Sequence, residues 1–136
     1  MIRRSLLALC VLGACAAPGD GGGSAAAPAV AGTRWVGVAD ASVERGALPR
    51  IEFLREGRMS GFTGCNMMGG TWRLEGSQIR FGPISATKRG CLGPEGDVEK
   101  RVLAALGAGS SGKIENGRLL LTAPDGARFE FTAARD

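Results

Sequence analysis

The chain has 136 residues, of which 17 are Lys or Arg and 13 are Asp or Glu, and it contains no histidine. The small positive net charge comes without a basic run or an aromatic-interleaved patch, which argues against nucleic acid binding. Without histidine, Ser-His and Cys-His catalysis by this chain alone is excluded in its usual forms.

A signal peptide is predicted at residues 1–14. Arg3 and Arg4 precede an apolar stretch that is shorter than the about 20 residues needed to cross a bilayer. The segment 12–15 (LGAC) resembles the lipobox of bacterial lipoproteins. The resemblance implies cleavage before Cys15 and attachment of acyl chains, such as palmitate, to this residue. The alternative is an ordinary cleaved signal that leaves Cys15 discarded or free. Cys10 lacks the small residues of the motif.

Residues 15–32 are rich in Ala, Gly, Pro and Ser and show no apolar periodicity, so we predict a flexible, lipidated linker. The residue after Cys15 is Ala16 rather than the Asp that commonly retains lipoproteins in the inner membrane. This favours an outer-membrane anchor facing the periplasm. Residues 33–136 then form one domain, whose length suffices for a single core.

Short alternating stretches predict strands through most of this domain. The first begins at Trp35 and runs to Val38, and the second contains Ile51 and Phe53 between charged residues. A two-residue turn at 76–77 would pair Trp72 with Phe81. The same turn would place Leu74 opposite Ile79, and Arg73 and Arg80 would then share the solvated face.

Two further hairpins follow from their turn residues. Asn116-Gly117 favours a type I′ turn, with Ile114 opposite Leu119. A three-residue loop at 124–126 would pair Leu121 with Phe129 and Leu119 with Phe131, with Gly126 in the left-handed bulge position.

One helix is predicted from Pro94, and Gly107 ends it. Val98, Val102, Ala105 and Leu106 form its apolar face. The fold class is therefore α+β: a curled antiparallel sheet, or partial barrel, packed against one amphipathic helix.

The sharpest local signature is the segment 57–66 (GRMSGFTGCN), followed by Thr87 and Cys91. Together with the early Trp35 and with Phe53, it resembles the META domain, also called the HslJ-like family. The motif residues are Gly61, Gly64, Cys65, Asn66, Thr87 and Cys91. The family is associated with heat shock and motility but has no agreed biochemical activity. The resemblance covers nearly all of residues 33–133. Members often carry Met and Ala before the second cysteine, where this chain has Arg89-Gly90.

Cys65 and Cys91 are compatible with a disulfide, a metal-binding pair, a reactive thiol or two buried free thiols. Two cysteines without histidine make an incomplete zinc site, and their spacing is not C-x-x-C. The disulfide is favoured in an oxidising compartment. Lys88 and Arg89 nearby would activate a free thiol. We expect no metal and no cofactor.

The remaining polar candidates have simpler explanations. Asn66 is expected to bond nearby backbone rather than to orient a ligand. Met67 and Met68 are expected in the core rather than on a contact surface. The carboxylates Glu95, Asp97 and Glu99 are assigned to the positive end of the helix dipole rather than to acid-base catalysis.

These features predict a lipid-anchored, non-enzymatic protein of the cell envelope that binds a partner or supports the envelope under stress. The alternative is a secreted, protease-inhibitor-like binding protein with a rigid exposed loop around residues 63–70. A third possibility, an enzyme or thiol sensor, requires a reactive Cys65 or Cys91. The expected partners are a membrane, through the lipid, and an envelope protein.

Overall fold

The computed structural model describes residues 29–39 and 41–135. It contains nine β-strands and one α-helix in this part of the chain: β1 (Arg34–Gly37), β2 (Arg50–Phe53), β3 (Arg58–Phe62), β4 (Met67–Glu75), β5 (Gln78–Phe81), β6 (Ser85–Ala86), α1 (Pro94–Ala105), β7 (Ser111–Glu115), β8 (Arg118–Thr122) and β9 (Arg128–Ala133). The predicted signal peptide and the proposed lipidation site Cys15 lie outside the described residues.

Eight of these strands form a closed antiparallel barrel in the order β3-β2-β1-β9-β8-β7-β5-β4, and β4 pairs with β3 to complete the ring. The predicted partial barrel is wrong in this respect. Closure depends on the long strand β4, which pairs with β3 through residues 67–71 and with β5 through residues 72–75. Local patterns do not encode this pairing, because each hairpin predicts only its own register. The strand β6 lies outside the ring and pairs with β4 alone.

Close backbone approach explains Gly61, the first glycine of the motif. A Cβ atom at Gly61 would lie 2.7 Å from Cε of Met68 and would also meet the carbonyl oxygen of Arg50. Since real Cβ atoms do not approach this closely, β2, β3 and β4 can pack at this point of the barrel only if residue 61 is glycine.

The three predicted hairpin registers are confirmed. Trp72 faces Phe81, Ile114 faces Leu119, and Leu121 faces Phe129. Asn116 and Gly117 both have positive φ, at 51° and 72°, as a type I′ turn requires. Gly126 has φ 93°, and its N–H donates to Ala123 O, which closes the predicted three-residue loop.

The first strand and the linker differ from their predictions. The strand β1 ends at Gly37, and Val38 is 47% exposed rather than part of an apolar run. Val30, inside the predicted linker, is buried in the core, and Gly32 N–H donates to Phe53 O. The packed part of the chain therefore begins before residue 33.

The helix α1 packs the predicted apolar face, Val98, Val102, Ala105 and Leu106, into the core formed by the inward side chains of the barrel. Pro94 occupies its first turn, as expected. The guanidinium of Arg101 lies 5.3 Å from the ring centre of Phe129 on β9. The expected α+β class with one helix is confirmed.

Candidate functional site

The motif turn between β3 and β4 is held by the hydroxyl of Thr63, which is fully buried. Its Oγ1 accepts hydrogen bonds from the main-chain N–H groups of Cys65 (3.1 Å) and Asn66 (2.8 Å). The main chain closes the same turn, because Thr63 N–H donates to Asn66 O at 2.8 Å. A short polar side chain that bonds the following N–H groups is a common way to fix such a turn.

Gly64 allows this turn to pack against the start of α1. Its φ of 106° belongs to the region that favours glycine. A Cβ atom here would also lie 3.2 Å from Ala47 O and 3.3 Å from Cγ1 of Val98. Both the backbone conformation and the lack of space therefore require glycine at this position.

Asn66 is 4% exposed and uses its whole side-chain amide in hydrogen bonds. Oδ1 accepts from Arg89 N (2.7 Å) and from Thr87 Oγ1 (3.0 Å). Nδ2 donates to Arg89 O (2.9 Å) and to Oε1 of Glu99 (2.8 Å). Two acceptor sites and two donors are all that a carboxamide offers. The side chain therefore holds the structure together, as expected, although its main-chain partner is distant in sequence rather than local.

Glu99 joins the motif turn to the helix, a role that the sequence analysis missed. Its Oε1 accepts from Thr63 Oγ1 at 2.9 Å and from Asn66 Nδ2. The assignment of Glu99 to the helix dipole is wrong, because it lies in the second turn of α1 and points at the turn. Glu95 and Asp97 do lie in the first turn, as expected. The i, i+4 spacing of Glu99 from Glu95 gave no sign of this contact.

The segment that carries Thr87 and Arg89 is fixed at both of its ends. The structure contains the predicted disulfide between Cys65 and Cys91, with Cα atoms 6.1 Å apart. Arg89 also donates from its guanidinium to Cys65 O at 3.0 Å. Thr87 Oγ1 accepts from Met67 N at 3.1 Å. All six motif residues, Gly61, Gly64, Cys65, Asn66, Thr87 and Cys91, thus belong to one structural unit at the end of β3 and the beginning of α1.

This unit forms one wall of a groove of about 770 Å³. The segment 82–90 lines one side, and the second half of α1 with residues 107–109 lines the other. Ile84, Leu103 and Leu106 contribute apolar surface, while Lys88 and Arg89 lie exposed at the rim. A groove of this size, with apolar walls and a few polar groups, is in the range of ligand-binding sites.

The model of the META domain family matches residues 29–136. The chain belongs to the META domain family. This membership indicates an envelope-associated protein. It also explains why the motif residues gather around a single turn, because the match extends over the whole barrel and helix.

Two solved structures share the fold of this META domain. An NMR structure of a protein from Burkholderia xenovorans superposes with a TM-score of 0.64 at 23% identity, covering 99% of this chain and 100% of that one. A second NMR structure gives a TM-score of 0.61 at 17% identity, covering 76% of this chain and 90% of its own. No curated protein matches the chain. At these identities the likeness shows the fold alone.

The two methionines of the META domain separate on adjacent positions of β4. Met68 is 5% exposed and belongs to the core, as predicted. Met67 is 58% exposed, so its predicted burial is wrong. Alternation along a strand sends neighbouring side chains to opposite faces, which prevents both from lying inside.

Within residues 29–39 and 41–135, no three His, Cys, Asp or Glu side chains come together in a way that would hold a metal ion. No helix of the described chain is both long and apolar enough to cross a membrane. The site therefore offers a rigid groove with two cationic side chains at its rim and a carboxylate already engaged by two donors.

Proposed function

We propose that this META domain protein is a lipid-anchored, non-enzymatic binding protein of the cell envelope. The observation that carries the proposal is the groove of about 770 Å³, whose wall is fixed by the Cys65–Cys91 disulfide and the Asn66 hydrogen bonds. Family membership supports the envelope association. In this proposal the acylated Cys15 attaches the chain to a membrane, outer rather than inner, and the domain faces the periplasm.

The rigidity of the groove wall favours recognition over chemistry. Asn66 and Glu99 bond to protein groups on the turn, on the helix and in the 87–91 segment, and Cys91 is oxidised with Cys65. A preorganised surface spends little conformational entropy on binding. A partner bound here would meet side chains whose positions are set before it arrives, which suits a module that supports the envelope under stress.

Acylation and location are tested together. We expect mass spectrometry of the amino-terminal peptide from purified envelopes to show a diacylglyceryl and an acyl group on Cys15. Cys15→Ser should release the protein from the membrane fraction without changing its fold. Wild-type protein that stays soluble, with an unmodified or absent Cys15, would overturn the anchor while leaving the groove proposal to its own test.

The non-enzymatic part is tested by thiol labelling of native exported protein. We expect no labelling of Cys65 or Cys91 by maleimide before a reductant is added. Rapid modification of either residue in the native protein would instead favour the enzyme or thiol-sensor alternative.

A protease-inhibitor-like function is the second candidate, at a different loop from the one expected. Residues 63–66 are buried, so they cannot enter a protease cleft. Leu92, however, is 98% exposed and directly follows the disulfide residue Cys91. A disulfide-anchored exposed loop at 88–93 is suited to this function. Inhibition constants for trypsin-like and chymotrypsin-like proteases, compared between wild type and Leu92→Asp, would decide whether this loop inhibits.

A further inference from the structure

The segment 84–90, here called the edge segment, is an extended strand that uses only one of its two edges. Thr87 N–H donates to Met67 O at 2.9 Å, and β6 pairs Ala86 with Met68 in antiparallel register. In an antiparallel ladder, hydrogen-bonded and non-hydrogen-bonded pairs alternate. Thr87 and Met67 form a hydrogen-bonded pair, so Ala86 lies in a non-hydrogen-bonded pair. Its main-chain N–H and C=O therefore point away from β4.

The side chain of Asn66 continues this one-sided pairing beyond the end of β6. It bonds both the N–H and the C=O of Arg89, as a neighbouring strand would. Because Thr87 and Arg89 both bond towards β4 and the motif turn, Lys88 between them turns its main-chain groups the other way. Ala86 and Lys88 thus present N–H and C=O groups on the outer edge of the segment.

This outer edge borders the groove. Ala86 and Lys88 both line it, opposite the apolar side chains of Leu103 and Leu106. Within the described residues, neither Ala86 nor Lys88 donates its N–H to another main-chain group outside regular pairing. A row of open main-chain donors and acceptors beside an apolar groove is the arrangement that accepts an added strand.

Charge at the rim indicates the kind of peptide that fits. The exposed side chains of Lys88 and Arg89 are cationic, and the one carboxylate of the groove, on Glu99, is engaged by Thr63 and Asn66. An incoming strand alternates its side chains between two faces. One face would meet the apolar wall, and acidic side chains on the other would approach the cationic rim.

We propose that the edge segment binds an extended peptide of a partner protein by strand addition, and that this peptide alternates apolar and acidic residues. The proposal rests on the proposed binding function and names its site and ligand class. Seven residues in extended form span roughly 23 Å, so a peptide of about six residues covers the edge. Main-chain hydrogen bonds would supply affinity, and the two faces of the peptide would supply selectivity.

The test uses a synthetic library of acetylated hexapeptides that alternate an apolar with an acidic residue, titrated into the oxidised, ¹⁵N-labelled full chain. We expect amide shifts concentrated in the edge segment and the facing half of α1. N-methylation of every second peptide nitrogen should weaken binding about tenfold or more in one phase and leave it unchanged in the other. Only a peptide that pairs through its main chain responds in this alternating way.

Two protein variants test the edge directly. Ala86→Pro removes an N–H that points into the groove, and proline is tolerated on a strand edge. It should weaken binding about tenfold, whereas Ser85→Ala, on the neighbouring position, should not. Lys88→Glu is the second variant, and it should reduce binding of acidic hexapeptides and favour their lysine counterparts. The amide spectrum of each free variant reports whether it has folded.

Two results would overturn strand addition. One is that no hexapeptide shifts the amides of residues 84–90 at millimolar concentration. The other is binding in the groove that ignores the phase of N-methylation. The second result would leave the binding function standing and remove only the proposed mode, whereas an empty groove with every probe would count against both.

Discussion

The side-chain nitrogen of Asn66 lies 2.8 Å from Oε1 of Glu99, which joins the turn after β3 to the second turn of α1. These residues are 33 positions apart. The contact is charge-assisted and partly buried, and Thr63 donates to the same carboxylate oxygen. Together the three side chains fix the position of the helix relative to the barrel.

Replacing Asn66 with aspartate should be strongly destabilising. Asn66→Asp removes the donor to Glu99 and to Arg89 O and places two carboxylates in contact. We expect the free energy of unfolding, measured by urea denaturation with the disulfide intact, to fall by about 3 kcal/mol. Adding Glu99→Gln should restore at least about 1 kcal/mol, because the new amide can donate to the aspartate. Asp97→Asn, on the exposed side of the same helix, is the matched control and should restore nothing.

Gly64→Ala should cost roughly 2–3 kcal/mol of stability, because the residue has φ 106° and no room for a Cβ atom. Gly46→Ala is the control, since nothing lies within 4 Å of a Cβ atom at that position and its φ is not in the left-handed region. Thermal or urea unfolding of the two variants compares them directly. Equal stabilities would show that the turn relaxes around the new methyl group.

Removing the disulfide should lower stability by about 3–4 kcal/mol. The two cysteines are separated by 26 residues, and the chain-entropy model gives this range for such a loop. Urea denaturation of Cys65→Ala/Cys91→Ala, compared with wild type under oxidising conditions, measures the loss. Wild type in excess reductant should fall by a similar amount. A reductant that leaves the unfolding midpoint unchanged would contradict the structural role of this bond.

Ser110 offers a stabilising substitution. It is 1% exposed, and its Oγ has no hydrogen-bond partner in the described part of the chain. A buried hydroxyl without a partner carries a desolvation penalty that alanine does not have. We expect Ser110→Ala to raise the free energy of unfolding by about 1 kcal/mol, measured by urea denaturation. Ser111→Ala, at the next and more exposed position, serves as the comparison and should change little. A clear loss in Ser110→Ala would mean that the hydroxyl has a partner in solution.

The sequence predicted the parts of the fold that local chemistry determines. Turn residues such as Asn116-Gly117 and Gly126 set the hairpin registers, and the spacing of Val98 and Val102 set the buried face of α1. Closure of the barrel escaped prediction, because the β3–β4 pairing depends on the shape of the complete sheet. Gly61 signals close approach, but it does not name the partner.

The candidate site was predicted less completely than the fold. The motif identified Cys65, Asn66, Thr87 and Cys91 as a group, and the structure brings them together. Glu99 was missed because a carboxylate in the second turn of a helix is ordinarily solvated, and only the tertiary structure brings it against the turn. The open edge beside Ala86 was also invisible, since a two-residue strand leaves almost no periodic signal.

The pairing of β1 with β9 makes the first and last strands of the barrel neighbours. A polypeptide that lacks β9 therefore leaves two unpaired edges, on β1 and on β8, and opens the core to water at the same time. Partial versions of this molecule have no stable halfway shape. Truncation anywhere in the final strand should yield aggregates or degradation products rather than a smaller working unit.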